Sequence, residues 1–532
     1  MESLIMLRLS SFFTLLVVLS IASPHQAYRI LAVFPFNSVS HFAMSGRIAE
    51  ELASHGHQVD VISHYPLKEP RPNYNDVVSL AGTMPFLKNN MTYKFGTEEL
   101  AEDTLIHSIA TKFGGDLCDL MDLPKFKQLI KNPPQDPPYD AVIIETFGAV
   151  CYLALGQHLR VPVVAVVTSP IWPWVNDMVA NPEDPAYIPH VFSGLSGQLN
   201  FWQRLQNTLT LWKAKLSYTR YTAYQNDKIK KHFGPQAPSL DEVRRDVSLV
   251  LVNSHYSLNG IRPFTPAVVE VGGLHIRENG TPLQKDLKKW LDDSTDGFVL
   301  ITFGSMLKLE TFPRENLVAI YSSLAKLAPI RVVVKVVNAT ELVPGLPSNV
   351  LTLPWVSQMA VLQHKNIRAF MTHGGLMGTM EAIYCGVPMI GVPMFGDQPQ
   401  NIELYAQKNM AVSVSRDELT EENLDAAFNA VLHDPSYMKA AKEMSAKFRD
   451  RPLSAVDTAM FWVEYIIRNG GASLRSPAMD LSWWQIALFD VYGALLLAAV
   501  LALYLLKVIV KKAERVVFGS DAEIKLRTKK NE

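Results

Sequence analysis

The chain has 532 residues, more than one hydrophobic core organises, so at least two domains are expected. It is 48 % apolar and 19 % charged, with a formal net charge of -1. That balance lacks the basic excess a nucleic-acid-binding surface needs, and such a role is excluded on charge. Cys118, Cys151 and Cys385 are too few and too scattered for a disulfide framework or a metal site; whether one bridge forms stays open.

Residues 12–22 (FFTLLVVLSIA) form an apolar run behind Arg8, with the small residues Ser20, Ala22 and Ala27 close to its end. The run is too short for a ~30 Å hydrocarbon core, so 1–27 reads as a cleavable signal peptide. Residues 28–34 (YRILAVF) read as a strand, followed by a loop and a helix over 41–55. Phe42, Ala49, Leu52 and Ala53 fall at helical spacing there, and Gly56 stops the helix. With a second strand at 59–62, this is a strand–helix–strand opening of parallel-sheet type. Residues 141–145 (AVIIE) and 162–168 (PVVAVVT) repeat the theme.

The stretch 170–231 changes character. Trp172, Trp174, Trp202 and Trp212 lie on helical segments that read equally as an apolar pocket or as helical core. A polar stretch at 277–296 reads as linker plus a short helix. Strands at 298–303 (FVLITF), 331–337 (RVVVKVV), 368–372 (RAFMT) and 389–392 then build a second α/β region. Within it a helix is expected over 376–385, stopped by Gly386 and Pro388.

Residues 491–506 (VYGALLLAAVLALYLL) carry no charge. Extended to 510, the run reaches the ~20 residues of a transmembrane helix. Trp483 and Trp484 lie on one side, and Lys507, Lys511, Lys512 and Arg515 on the other. The positive-inside rule puts the C-terminus in the cytosol and the body outside. Lys529 and Lys530 stand where a dilysine retrieval signal of the endoplasmic reticulum would stand. The sequons at Asn90, Asn279 and Asn338 suit a lumenal body.

THGGLMGTMEA, at 372–382, lies where a strand ends and a helix begins. Glycines there let a ligand approach the backbone, and the free N–H groups favour an anion. The spacing fits neither a Walker loop nor a dinucleotide fingerprint. On these residues alone, an anion site and a plain strand-to-helix turn stand side by side. Glu381 is placed on the helix, where it could accept hydrogen bonds from sugar hydroxyls.

The surrounding residues carry a resemblance. Trp355-Val356-Ser357-Gln358, Phe370 to Gly375, Gly378, Glu381, Pro388, Pro393 and Asp397-Gln398 resemble the donor-binding signature of the family 1 UDP-glycosyltransferases. Ser40-His41-Phe42, Gly272-Gly273-Leu274-His275, Phe303-Gly304-Ser305 and Trp462-Val463-Glu464-Tyr465 extend it over nearly the whole mature chain. The resemblance implies an α/β protein of the GT-B fold, with two Rossmann-like domains facing across a cleft and one C-terminal transmembrane helix. The implied division is signal peptide 1–27, acceptor domain 28–276, linker 277–296, UDP-sugar domain 297–475, juxtamembrane segment 476–488, membrane helix 489–510 and cytosolic tail 511–532.

By the same resemblance, Trp355 would stack on uracil and Gln358 would bind the nucleoside, although Gln358 also stands where it would cap the following helix. His373, Gly375 and Gly378 would hold the diphosphate, with Ser305 close to it. Glu381 would take the ribose, and Asp397 and Gln398 the sugar. Met377 departs from the polar residue often found at its position and offers backbone only. His41 matches the family's general base. Glu145 stands where the family often has Asp and would orient His41, with Asp140 the alternative.

The implied reaction is inverting transfer of a hexosyl group, glucose first, from a UDP-sugar to a small lipophilic acceptor. The alternatives are glucuronosyl transfer or a catalytically silent UDP-sugar or aglycone binder of the same fold. The chain lacks a DxD triplet, so no metal or other cofactor is expected beside the UDP-sugar. The expected partners are the donor, the acceptor and the membrane of the endoplasmic reticulum; a homo-oligomer is left open.

Overall fold

The computed structural model of the chain describes residues 27–528 except 86, 101, 192, 194, 196 and 279. Residues 1–26 of the expected signal peptide, the sequon asparagine Asn279 and the Lys529-Lys530 pair lie outside the described residues. The chain divides into two compact units, one ending at Arg475 and one running from Ser476.

The first unit holds two parallel sheets. Strands β1 (Arg29–Phe34), β2 (Gln58–Ser63), β3 (Tyr74–Ser79), β4 (Ala141–Glu145), β5 (Val163–Val167), β6 (Val247–Val252) and β7 (Val268–Glu270) form a seven-stranded sheet ordered β3-β2-β1-β4-β5-β6-β7. Strands β8 (Phe298–Thr302), β9 (Arg331–Lys335), β10 (Val350–Leu353), β11 (Ile367–Thr372), β12 (Met389–Gly391) and β13 (Ala411–Ser413) form a six-stranded sheet ordered β10-β9-β8-β11-β12-β13. The central strands β4, β5, β6 and β8 are buried along their whole length. That is why they read as almost continuous Val, Ile, Leu and Ala: helices cover both faces of a parallel sheet.

Six helices of the first unit matter for the site and the surfaces around it: α1 (Val39–Ser54), α2 (Phe201–Thr222), α3 (Gln358–Leu362), α4 (Leu376–Cys385), α5 (Gln398–Ala406) and α6 (Ala455–Asn469). Helix α1 buries Met44, Ile48, Ala49, Leu52 and Ala53, which share one face at helical spacing. Helix α4 ends where the sequence predicts, because Gly386 takes the left-handed conformation and donates its N–H to the last turn.

Helix α6 follows the second sheet in the chain yet covers the first. Met460, Val463 and Ile466 share a core cluster with Ile30, Val59 and Val61. Glu464 on its flank lies 3.2 Å from His57 Nε2 and 2.9 Å from Arg468. A Cys118–Cys151 bridge joins positions 33 residues apart in the first half, answering the question the cysteine count left open. Trp172 and Trp174 are buried, whereas Trp202 and Trp212 are exposed, so the tryptophans of 170–231 divide between wall and surface.

The second unit holds α7 (Phe489–Thr528). Its segment Phe489–Val516 is long and apolar enough to cross a membrane and is wholly unburied. At 1.5 Å per residue it exceeds the ~30 Å hydrocarbon thickness.

Candidate active site

Each sheet reverses its strand order once, between β1 and β4 in the first and between β8 and β11 in the second. Open parallel sheets bind ligands outside the strand C-termini at such switch points. His41 follows β1, Glu145 ends β4 and Thr168 follows β5; Gly304 and Ser305 follow β8; His373 and Gly375 follow β11. Both switch points open on one cavity of about 300 Å³. His41 and all nine donor-site candidates line it: Ser305, Trp355, Gln358, His373, Gly375, Gly378, Glu381, Asp397 and Gln398. Glu145 stands behind His41, its side chain 1 % exposed.

His41 is the third residue of α1. Its Nδ1 lies 2.6 Å from Glu145 Oε1 and 2.8 Å from Thr168 Oγ1. An ionised carboxylate only accepts, so Nδ1 carries the proton and Nε2 keeps a free lone pair. Phe36 and Phe147 pack edge-on against the imidazole at 4.6 and 5.0 Å between centroids, fixing its plane. A ring nitrogen held by a buried carboxylate, with the other left free, is a geometry that general-base catalysis can use. Asp140 is used elsewhere: its carboxylate accepts from the Arg29 backbone N–H.

Across the cavity, Gln358 links two elements. Thr302 Oγ1 donates to its Oε1 at 2.8 Å, and its Nε2 donates to Glu381 Oε2 at 2.7 Å. A Cβ on Gly378 would stand 2.9 Å from that Nε2, and one on Gly375 would stand 2.7 Å from the His373 ring. These two glycines therefore admit neighbouring side chains as well as exposing backbone. The first-turn N–H groups of α4 have no partner within the helix and face the cavity with Leu376, Met377 and Gly378. The Met377 carbonyl accepts from His275 Nε2 at 3.1 Å, and its Sδ accepts from Asn253 of the first half. Its apolar side chain thus packs between the two halves.

Burial sets the charges. His373 is pushed down to about 4 by burial, with the Lys335 cation acting in the same direction. It is a neutral N–H donor at neutral pH. Lys335 is itself brought down to about 8 by burial, and its Nζ donates to the Gly304 carbonyl at 2.7 Å. Glu381 is raised to about 7 by burial, against the opposing hydrogen bond from Gln358. Burial also raises Asp397, while Asn401 Nδ2, donating at 2.8 Å, and the nearby His41 lower it. Gln398 Oε1 accepts from the Met394 and Phe395 N–H groups, which fixes its amide.

Trp355 is 43 % exposed at the cavity rim, with Lys88 Nζ 3.9 Å from its ring centroid. The loop carrying Lys88 pairs with the loop carrying Ser305. Asn89 N–H donates to Ser305 O, and Met91 N–H to Met306 O. The first half thereby closes on the second. At the other end the cavity is apolar, walled by Leu105, Ile109, Phe113, Phe147 and Trp172.

Sequence reasoning missed Thr168, Thr302, Lys335 and Lys88. Thr168 and Thr302 stand at the ends of apolar strands, on the same edge as the predicted groups. Lys335 ends a strand that begins with another cation, Arg331, and of the two only Lys335 is buried, a difference the sequence does not show. Lys88 carries no local signal. Of the sequons, Asn90 is exposed in the inter-half loop, and Asn338 donates to Glu341 Oε1 at 2.8 Å.

Two Rossmann-like sheets sharing a cleft at their switch points define the GT-B class of glycosyltransferases. Solved structures share it. The glycotransferase of kitacinnamycin aligns over 82 % of this chain and 99 % of its own, with TM-score 0.57 and 18 % identity. UGT71G1 of Medicago truncatula, complexed with UDP-glucose, aligns over 84 % of this chain and 100 % of its own, with TM-score 0.56 and 18 % identity. The family profile described as UDP-glucoronosyl and UDP-glucosyl transferase matches residues 30–524. UDP-glycosyltransferase UGT5 of Dactylopius coccus is 32 % identical over 97 % of this chain and 98 % of its own length. UDP-glucuronosyltransferase 2B1 of Rattus norvegicus is 30 % identical over 93 % and 95 %. The chain belongs to this family and is a UDP-glycosyltransferase.

Proposed function

We propose that the enzyme transfers a hexosyl group, glucose first, from a UDP-sugar to a hydroxyl of a small lipophilic acceptor, with inversion at the anomeric carbon. The carrying observation is the 2.6 Å His41–Glu145 contact at the rim of a cavity shared with the donor-site candidates. His41 Nε2 takes the acceptor proton as the hydroxyl oxygen attacks, and Glu145 stabilises the imidazolium. Trp355 stacks on uracil, Gln358 and Glu381 hold the nucleoside, and Asp397 and Gln398 hold the sugar. The leaving diphosphate gains its charge stabilisation from the α4 N-terminus, His373 and Ser305, so the reading calls for no metal or other cofactor. The apolar far wall suits a lipophilic aglycone.

The apolar segment Phe489–Val516 and its basic flank support a single-pass anchor in the endoplasmic reticulum membrane, with a lumenal body. Microsomes expressing the chain, given several UDP-sugars and a panel of phenols, test the reaction. Glucosides are the expected product, and His41→Ala lowers their formation by roughly 10²–10⁴. Glucuronides instead would reassign the donor. Binding of UDP-sugar without any transfer, unchanged by His41→Ala, would remove the enzymatic reading in favour of a binding protein.

A further inference from the structure

Helix α2 has two apolar faces. Its inward face buries Leu211, Ala214 and Tyr218. The Tyr218 ring stacks on Trp174 at 4.0 Å, and Trp174 stacks on Trp172 in the cavity wall at 5.5 Å. Its outward face exposes Trp202, Leu205, Leu209, Trp212 and Leu216, alternately three and four residues apart, at 73, 43, 53, 62 and 72 % exposure. Five large apolar side chains in one continuous stripe exceed the scattered surface hydrophobics of a soluble domain.

We infer that this stripe is a bilayer-docking face, seated among the headgroups and upper acyl chains of a membrane with anionic lipid. Three observations choose the occupant. The composition is interfacial, since Trp202 and Trp212 within the stripe, with Phe201 beside it, are the aromatic residues that settle at headgroup level. The helix contains no acidic residue, and the exposed Lys213 and Arg220 follow the same edge of the stripe, complementing anionic headgroups. That same charge opposes a second copy of the chain: a helix–helix seam along the stripe would face like charges without the acidic flanking residues that pair such seams. Finally, α7 supplies a bilayer within the same chain, so docking is an intramolecular step at high effective concentration. The consequence for the reaction is that the acceptor end of the cavity stands one aromatic stack away from the lipid-facing surface.

The inference rests on the anchored reading of α7, and the two fail separately. The test uses full-length protein in nanodiscs of phosphatidylcholine and phosphatidylserine. It carries Cys385→Ala and a single environment-sensitive fluorophore at Leu209→Cys, with Leu216→Cys as the second site. A label at Lys439→Cys, whose side chain is 80 % exposed, is the control. Docking predicts blue-shifted emission at 209 and 216, with loss of most of it when the lipids carry a shallow spin-label quencher; the control stays unshifted and unquenched. Emission at 209 and 216 that matches the control overturns the inference. So does oxidative cross-linking of the unlabelled Leu209→Cys variant between two copies, without lipid quenching of the labelled one, which would assign the stripe to a second copy. Resistance to carbonate extraction reports the α7 anchor by itself, whatever the labels show.

Discussion

Gln358 Nε2 donates to Glu381 Oε2 at 2.7 Å while Thr302 holds the other end of the same amide at 2.8 Å. The two residues that read the nucleoside in our proposal are thus one preset unit. Glu381 occupies a site that burial makes unfavourable for its charge.

That unit gives a pH-dependent trade between stability and binding. Glu381 lies at about 7 in the folded protein against its ordinary 4.5. The folded state therefore binds the proton more tightly than the unfolded chain. Stability falls as pH rises from 4.5 to 7, by roughly 3 kcal/mol in all, and levels off above that. Glu381→Gln is expected to raise the melting temperature at pH 8 and to change it little at pH 4.5. It is expected to weaken UDP binding, because only the ionised carboxylate accepts from both ribose hydroxyls. Wild-type affinity should fall below pH 7 and that of the variant should not; calorimetric titration across pH 5.5–8.5 measures both.

For the proposed catalytic pair, His41→Ala is expected to lower kcat by roughly 10²–10⁴ with the KM for UDP-sugar held. Glu145→Asp draws the carboxylate back by one methylene and should also lower kcat, since the 2.6 Å contact is lost. Thr168→Val removes only the second neighbour of Nδ1 and should cost less than either. Steady-state kinetics with donor and acceptor varied separately test the ordering.

Lys335 titrates at about 8, brought down by burial. An anionic diphosphate favours its ammonium, so UDP binding should take up a proton above pH 8, and affinity should fall as pH rises through that value. Lys335→Met is expected to cost about 1.5–3 kcal/mol of UDP affinity, the range of a charge-assisted hydrogen bond, and to abolish that high-pH decline. Binding titrations in buffers of different ionisation enthalpy count the proton.

The Cys118–Cys151 bridge closes a loop across 33 residues of the first half. Loop-closure entropy puts its contribution at about 3–4 kcal/mol. The double replacement Cys118→Ser, Cys151→Ser should lower the unfolding free energy by that amount in chemical denaturation. UDP binding to the folded fraction should be unchanged, since neither cysteine lines the cavity.

Much of the fold was legible because its signals are local. Strands at 141–145 and 298–302 and the helix at 376–385 follow from apolar runs bounded by turn residues, and Gly386 marks its stop by conformation alone. Other features were not. The tryptophans of 170–231 gave one ambiguous signal, because spacing places residues on a face without saying what covers it. Trp174 found Tyr218 to stack on; Trp202 stays exposed. Lys88 reached Trp355 only because a loop of one half pairs with a loop of the other.

The sequence by itself determined two α/β halves, an apolar C-terminal helix and the residues of a donor signature that lies within one short stretch of chain. Those depend on periodicity, turn chemistry and spacing, which neighbouring residues set among themselves. Tertiary structure alone decided that His41 meets Glu145 across 104 positions, that α6 returns to cover the first sheet, and that Lys335 sits beside the donor cavity. Those depend on strand order and on which half closes over which. Such contacts are fixed by burying a shared core, and no single stretch of the chain carries that information.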